Sequence, residues 1–290
     1  MVAWQKRVRL AAMPSHENSP KTPALTPSLQ THKLIRGIRW TRLFIHVTWA
    51  LLMAATIFPR VTIARRARIT QRWSAKLLRL LNIVLSVHGA RPEEDAQNLI
   101  IVSNHVSWLD IFVINAAQPS LFVAKSEIRD WPLAGWLCEK SGTIFVRRAK
   151  RSDTGRINDE MRHALANGAT IGLFPEGTTT AGDRLLKFHS SLFEPAVVNR
   201  ANVGPVAIRY LTSVGERNEA AAYFGDIGFS DSIRQIIGQK SMIAEITFAP
   251  EVSAVGVTRR ELAQKSEGAI AAILDVPLPD QHQRFGASGE

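Results

Sequence analysis

Residues 99–110 read Leu-Ile-Ile-Val-Ser-Asn-His-Val-Ser-Trp-Leu-Asp, and this stretch decides how the chain folds. Leu99–Ser103 is short, uncharged and rich in β-branched residues, the composition of a buried strand. It runs straight into Asn104-His105, and Asp110 follows His105 by five positions. A histidine at a strand end, ahead of a helix start, can meet a carboxylate just over one turn later. Such a carboxylate accepts from one imidazole nitrogen, fixes the tautomer and leaves the other nitrogen as a base. This is the orienting half of a catalytic triad without its serine. The spacing alone is not distinctive in a chain with 8 histidines, because a buried structural histidine can show it too. The strand-end position and the polar neighbours Asn104 and Ser107 favour chemistry.

Working outward, similar apolar runs recur at Leu121–Ala124, Thr143–Val146, Thr170–Phe174, Val203–Arg209 and Ile243–Phe248. Between them the stretch from Thr154 to about Asn167 predicts a helix. Ser152 or Asp153 can cap it, Ile157, Met161 and Leu165 form its apolar stripe, and Gly168 closes it. Strands alternating with helices predict an α/β domain over residues 89–280, with a mixed, largely parallel sheet flanked by helices.

Two of these runs end in polar groups suited to a ligand. Gly142-Thr143-Ile144-Phe145-Val146-Arg147-Arg148 closes on two arginines, which can hold a phosphate bidentately or form a solvated basic end with Lys150 and Arg151. Phe174-Pro175-Glu176-Gly177-Thr178-Thr179-Thr180 follows another strand. Glycine there allows close backbone approach to a ligand, and the hydroxyls and amides can grip an oxyanion. Glu176, fixed between proline and glycine, anchors either the loop or a substrate hydroxyl.

In this order and at these separations, the blocks resemble the glycerophosphate and lysophosphatidate acyltransferase family. Asn104-His105-x4-Asp110 matches its first motif, Gly142–Arg148 its second, Phe174–Thr178 its third, and Val203–Ile208 with Pro205 its fourth. The resemblance implies that His105, oriented by Asp110, deprotonates an acceptor hydroxyl, which attacks the thioester of acyl-CoA or acyl carrier protein without an acyl-enzyme. Loop amides beside His105 are candidates for the oxyanion. The family's binding positions fall on Arg148, Glu176 and Gly177, with Thr178 beside them. The implied product is phosphatidic acid from 1-acyl-sn-glycerol-3-phosphate. One departure matters: many lysophosphatidate enzymes continue the third motif as Glu-Gly-Thr-Arg-Ser, whereas here Thr179 stands in place of the arginine. Arg147, where the family often has an acid, is the residue that compensates, and a less charged acceptor such as lyso-ornithine lipid is the alternative. No metal or cofactor is expected beyond the acyl donor, since no second histidine or acid cluster stands at ligand spacing.

The rest of the chain bears on location. Residues 1–33, rich in Pro, Ser and Thr, read as a disordered leader, and 281–290 as a flexible tail. Residues 34–88 read as a membrane-associating helical region. Leu43–Phe58 is uncharged and close to the shortest bilayer span, with arginines crowding both ends and Trp40 and Trp49 as interfacial residues. Gln71–Val87 predicts a second, basic amphipathic helix through Trp73, Leu77, Leu80, Leu81 and Val84. It suits either an anionic lipid surface or packing on the catalytic domain. The net charge of +11 points to an acidic partner. Its basic residues gather beside the apolar segment, and no nucleic-acid-binding motif is present, so a bacterial inner membrane with a cytoplasmic catalytic domain is expected rather than nucleic acid. The lone Cys138 excludes an internal disulfide, and its helical, apolar setting does not suit a nucleophile. A hydrolase using water in place of the lipid hydroxyl is the nearest rival, though no Gly-x-Ser-x-Gly elbow occurs.

Overall fold

The computed structural model describes residues 31–93, 96, 98–146 and 153–279. Two helices come first, α1 (Lys33–Thr56) and α2 (Ile63–Leu80). Arg39, Leu43, His46, Ala50 and Met53 form the buried stripe of α1, at the three- and four-residue steps that keep one helix face against a neighbour. His46 and Trp73 lock the two helices together. Their rings stack at 4.5 Å, and each ring nitrogen bonds the other residue's carbonyl, at 3.1 and 3.2 Å. The opposite face of α1 is apolar and exposed, at Leu34, Ile38, Phe44, Ile45, Trp49 and Leu52.

The second helix stops earlier than its periodicity predicts. Asn82 adopts a positive φ of 58°, which turns the chain out of the helix, and Ile83–Gly89 becomes β1. Val84 therefore lies on a strand. The boundary expected at residue 89 falls inside the fold, because β1 pairs in parallel with β7 (Met242–Phe248). The leader's end moves as well. Thr31 bonds the backbone at Gly238 and Gln239, and Lys33 already begins α1. Both readings of α2 involve separate faces. Leu77 and Leu78 are buried in the core with Leu109 and Val113 of the catalytic domain, while Arg65, Arg68, Arg72, Lys76 and Arg79 stay exposed.

The remaining elements are β2 (Leu99–Ser103), α3 (Asp110–Ala117), β3 (Ser120–Lys125), α4 (Ala134–Lys140), β4 (Ile144–Val146), α5 (Asp153–Ala166), β5 (Thr170–Leu173), α6 (Glu194–Val198), β6 (Asn202–Leu211), α7 (Phe229–Gly238), β8 (Val252–Ser253) and α8 (Arg259–Leu274). One sheet orders its strands β1-β7-β6-β2-β5-β3-β4, with β8 beside β6. β6, β2, β5, β3 and β4 run parallel, and the sense reverses between β6 and β7. Every residue of β2 is buried, as expected of a central strand covered on both faces. Leu99 and Ile101 face the core shared with α2, α3 and α7, and Ile100 and Val102 face the one shared with α5, α6 and α8. This is the mixed α/β sheet expected from the sequence.

Two consequences place the site. His105 and Phe174 leave the carboxyl ends of adjacent parallel strands, where α/β sheets bind their ligands. Because β1 runs against β2, its first residue, Ile83, lies at that same edge, so the α1–α2 hairpin joins the sheet there.

Arg39 ties α1 to the catalytic domain. Its guanidinium donates to the carbonyls of Ile237, Gln239 and Lys240 at the end of α7, which lack partners inside the helix. Arg39→Met keeps the apolar stem but removes the donor to Ile237 O, and leaves Gln239 O to Thr31 and Lys240 O to Asn82. It should cost about 1.5–3 kcal/mol, the range for hydrogen bonds to charged groups, read from chemical-denaturation midpoints.

Candidate active site

The sequence from Asn104 to Asp110 folds as a tight loop because one carboxylate collects its donors. Asp110 opens α3 and has no exposed surface. Its Oδ2 accepts from His105 Nδ1 at 2.7 Å, Val106 N at 2.7 Å and Ser107 N at 2.9 Å. Its Oδ1 accepts from the hydroxyl of Tyr210 on β6 at 2.7 Å. A buried carboxylate stays ionised only with such compensation. Since an ionised carboxylate donates nothing, the proton of the His105 pair sits on Nδ1, which leaves Nε2 as the basic nitrogen.

Tyr210 was hidden from the sequence. It lies 100 positions from Asp110, inside an apolar strand. The one available signal was that a buried tyrosine hydroxyl needs a partner. Burial and the adjacent Asp110 charge raise its pKa well above the ordinary phenol value, so it remains a donor. Asn104 closes the same seam, giving Nδ2 to Ile208 O at 3.0 Å and accepting from Ile208 N at 2.8 Å.

The imidazole ring is set from its face. His105 stacks on Phe174 at 4.0 Å, and Phe174 stacks on Phe122 at 5.5 Å. Phe122 has room because β5 carries Gly172 opposite it; a Cβ at 172 would stand 2.6 Å from the ring. The side chain of His105 keeps 20% of its surface exposed, enough for one nitrogen to meet a substrate.

Glu176 takes the loop-anchoring role rather than a place against substrate. It is 1% exposed, with Oε1 accepting from His105 N at 2.7 Å and Oε2 from Leu186 N at 2.9 Å. The loop is closed again by Thr180 N on His105 O at 2.9 Å. Gly177, at φ 72°, makes the turn that a residue with a Cβ resists. Thr178 is exposed on this loop. Arg147 and Arg148 lie outside the described residues. The loop also corrects the oxyanion assignment. The amides of His105, Val106 and Ser107 are all occupied by Glu176 and Asp110, so they are not donors for a developing charge. Those of Thr178 and Thr179 have no intramolecular partner among the described residues. Cys138, on α4, is partly buried, and burial raises its thiol, which disfavours the thiolate.

Residues 84–209 match the family model described as Acyltransferase. Over 220 residues the chain is 36% identical to a lyso-ornithine lipid O-acyltransferase of Pseudomonas aeruginosa, covering 76% of this chain and 83% of that one. The chain belongs to the acyltransferase family. This acyltransferase is also 35% identical over 198 residues to the 1-acyl-sn-glycerol-3-phosphate acyltransferase of Neisseria gonorrhoeae, covering 68% and 77% of the two chains. Its fold matches the crystal structure of the 1-acyl-sn-glycerophosphate acyltransferase of Thermotoga maritima with a TM-score of 0.62. That match has 20% identity and covers 83% of this acyltransferase and 94% of that chain.

Two substitutions separate orientation from fold. Tyr210→Phe keeps the ring and removes one donor to Asp110, loosening the carboxylate that orients the imidazole. Its kcat/KM should fall about tenfold, for a lost hydrogen bond to a charged group. Glu176→Gln probes the clasp. Burial pushes the Glu176 carboxyl up to about 8 against the pull of its two amide donors. A raised folded value means protonation favours the folded state, so this contribution is full below the unfolded value of about 4.3. It is lost as pH rises through about 8. Glu176→Gln should be less stable near neutrality, because its amide nitrogen confronts a backbone donor. It should also lose part of the decline in melting temperature between about pH 5 and 8.

Proposed function

We propose that this acyltransferase moves a fatty acyl group from acyl-CoA or acyl carrier protein to the free hydroxyl of a lysolipid at the membrane surface. The observation that carries the proposal is the His105–Asp110–Tyr210 chain, which fixes the proton on Nδ1 and turns Nε2 into a general base. The acceptor hydroxyl gives its proton to Nε2 as its oxygen attacks the thioester carbonyl. Collapse of the tetrahedral intermediate releases the thiol, which recovers that proton. The amides of Thr178 and Thr179, on the loop that Thr180 N closes onto His105 O, are our candidate donors for the oxyanion. No enzyme nucleophile takes part, in keeping with the burial of Cys138.

Lyso-ornithine lipid is the acceptor we place first. Thr179 occupies the position where the phosphate-gripping arginine is expected, and Glu176, spent on the loop, does not reach a headgroup. The similarity to a lyso-ornithine lipid acyltransferase supports this choice. 1-Acyl-sn-glycerol-3-phosphate is the second reading, favoured by Arg147 and Arg148 after β4 and by the similarity to the gonococcal enzyme.

The membrane reading rests on α1. With its following turn the helix, Lys33–Arg60, is long and apolar enough to cross a bilayer. Its buried stripe is nevertheless committed to α2 and the catalytic domain, and its free face is apolar. We therefore place the hairpin in one leaflet of the bacterial inner membrane, with α2's cations toward anionic headgroups and the catalytic domain on the cytoplasmic side.

The purified full-length enzyme should transfer labelled acyl chains to lyso-ornithine lipid in preference to 1-acyl-sn-glycerol-3-phosphate. Release of free fatty acid regardless of acceptor would replace the transferase reading with a hydrolase. Thr179→Arg should shift the preference toward the phosphate acceptor by about tenfold, the value of one charge-assisted contact. His105→Ala should lower transfer by about 10²–10⁴-fold, the contribution of a general base, while vesicle binding persists.

A further inference from the structure

Between β3 and β4 the chain displays apolar side chains that the fold does not bury. Trp131 is 49% exposed, Leu133 69% and Trp136 38%. Leu133 sits at φ 61°, ψ −47°, and Ala134 N bonds Pro132 O at 2.6 Å. This is a γ-turn of the rare positive-φ kind, strained for any residue but glycine. The surroundings hold it there. Gly135 is buried so closely that a Cβ would lie 2.1 Å from Arg129 O. Arg129 reaches Glu139 at 3.6 Å and covers the Phe145 ring at 5.0 Å. A braced loop that spends strain to present a leucine between two tryptophans is built for contact.

The position of the loop names the contact. It follows β3, which is parallel to β5 and so releases the chain at the carboxyl edge where His105 and Phe174 stand. α4, which carries Trp136, packs against α1. The exposed loop therefore lies next to the helix that carries the other exposed apolar face, α1, and α2 offers five exposed cations and no acid. Tryptophan favours the boundary between headgroups and acyl chains.

We propose that Trp131, Leu133 and Trp136 form a second membrane contact, inserted at the headgroup level of an anionic bilayer. Together with α1 it turns the carboxyl edge of the sheet, and His105, toward the lipid surface. This inference rests on the membrane reading of α1 given above. Two attachments on different elements fix tilt as well as depth, so a lysolipid can present its hydroxyl without leaving the leaflet.

The test uses the full chain with Cys138→Ser as background and a polarity-sensitive fluorophore on one introduced cysteine: Leu133→Cys in the loop, Phe44→Cys on α1, or Val255→Cys. Val255 is 65% exposed and follows β8, which pairs with the amino end of β6, at the opposite edge. With phosphatidylethanolamine–phosphatidylglycerol vesicles, emission should shift to the blue at 133 and 44 and stay constant at 255. A shift at 44 without one at 133 overturns the proposal and leaves the α1 reading standing. No shift at either position overturns both. A shift at 133 on raising protein concentration without lipid assigns the loop to self-association and also overturns the proposal. As a second measurement, Trp131→Ala with Trp136→Ala should weaken vesicle partitioning by about tenfold or more for the apolar surface removed, read at a temperature where circular dichroism shows the variant folded. Unaltered partitioning would reject the inserted loop.

Discussion

A carboxylate with no access to water organises this molecule's chemistry. Asp110 must be surrounded by donors to exist as an anion in the core, and each donor it recruits constrains a different part of the site. The two backbone amides curl the loop after β2, the imidazole is turned to a single tautomer, and the tyrosine hydroxyl ties the loop to the neighbouring strand. The position of Asp110 in the first turn of α3 adds the favourable end of a helix dipole. Electrostatic necessity and catalytic geometry are thus one requirement, met by the same four bonds.

The second carboxylate supports the first at one remove. Glu176 reaches no atom of the imidazole, yet it holds the main chain from which the imidazole springs and joins it to the loop after β5. The aromatic series Phe122–Phe174–His105 reaches the same ring from its face. Backbone, edge and face of the base are set by different groups, Glu176, Asp110 and Phe174, as preorganisation of a reactive group demands.

The strands were legible in the sequence because buried parallel strands are continuous apolar runs, and Leu99–Ser103, Thr170–Phe174 and Ile243–Phe248 each show one. The His105–Asp110 pair was legible because its partners are local. Contacts across the sheet were not. Nothing near Tyr210 or Asn104 announces a partner a hundred positions away, and Glu176 could not be assigned to loop or substrate until its two amide donors were located. Val84 was misassigned for a related reason. Helical periodicity persists through Leu81, and the turn at Asn82 is decided by pairing with β7, far along the chain, so a tertiary constraint overrides the local pattern. Leu133 escaped notice because strain belongs to the backbone and leaves no mark in composition.

The tether between α1 and the end of α7 has a consequence for assembly. Thr31 and Arg39 find their partners 198–208 positions downstream, and β1 completes its ladder with β7. The earliest segments to leave a ribosome thus wait for nearly the last strand before their polar contacts can close. Contacts of such sequence separation make folding slow, and during synthesis the apolar face of α1 is available well before the sheet it belongs to. Until α7 and β7 arrive and draw the catalytic domain onto the hairpin, the apolar surface of α1 stays open to aggregation.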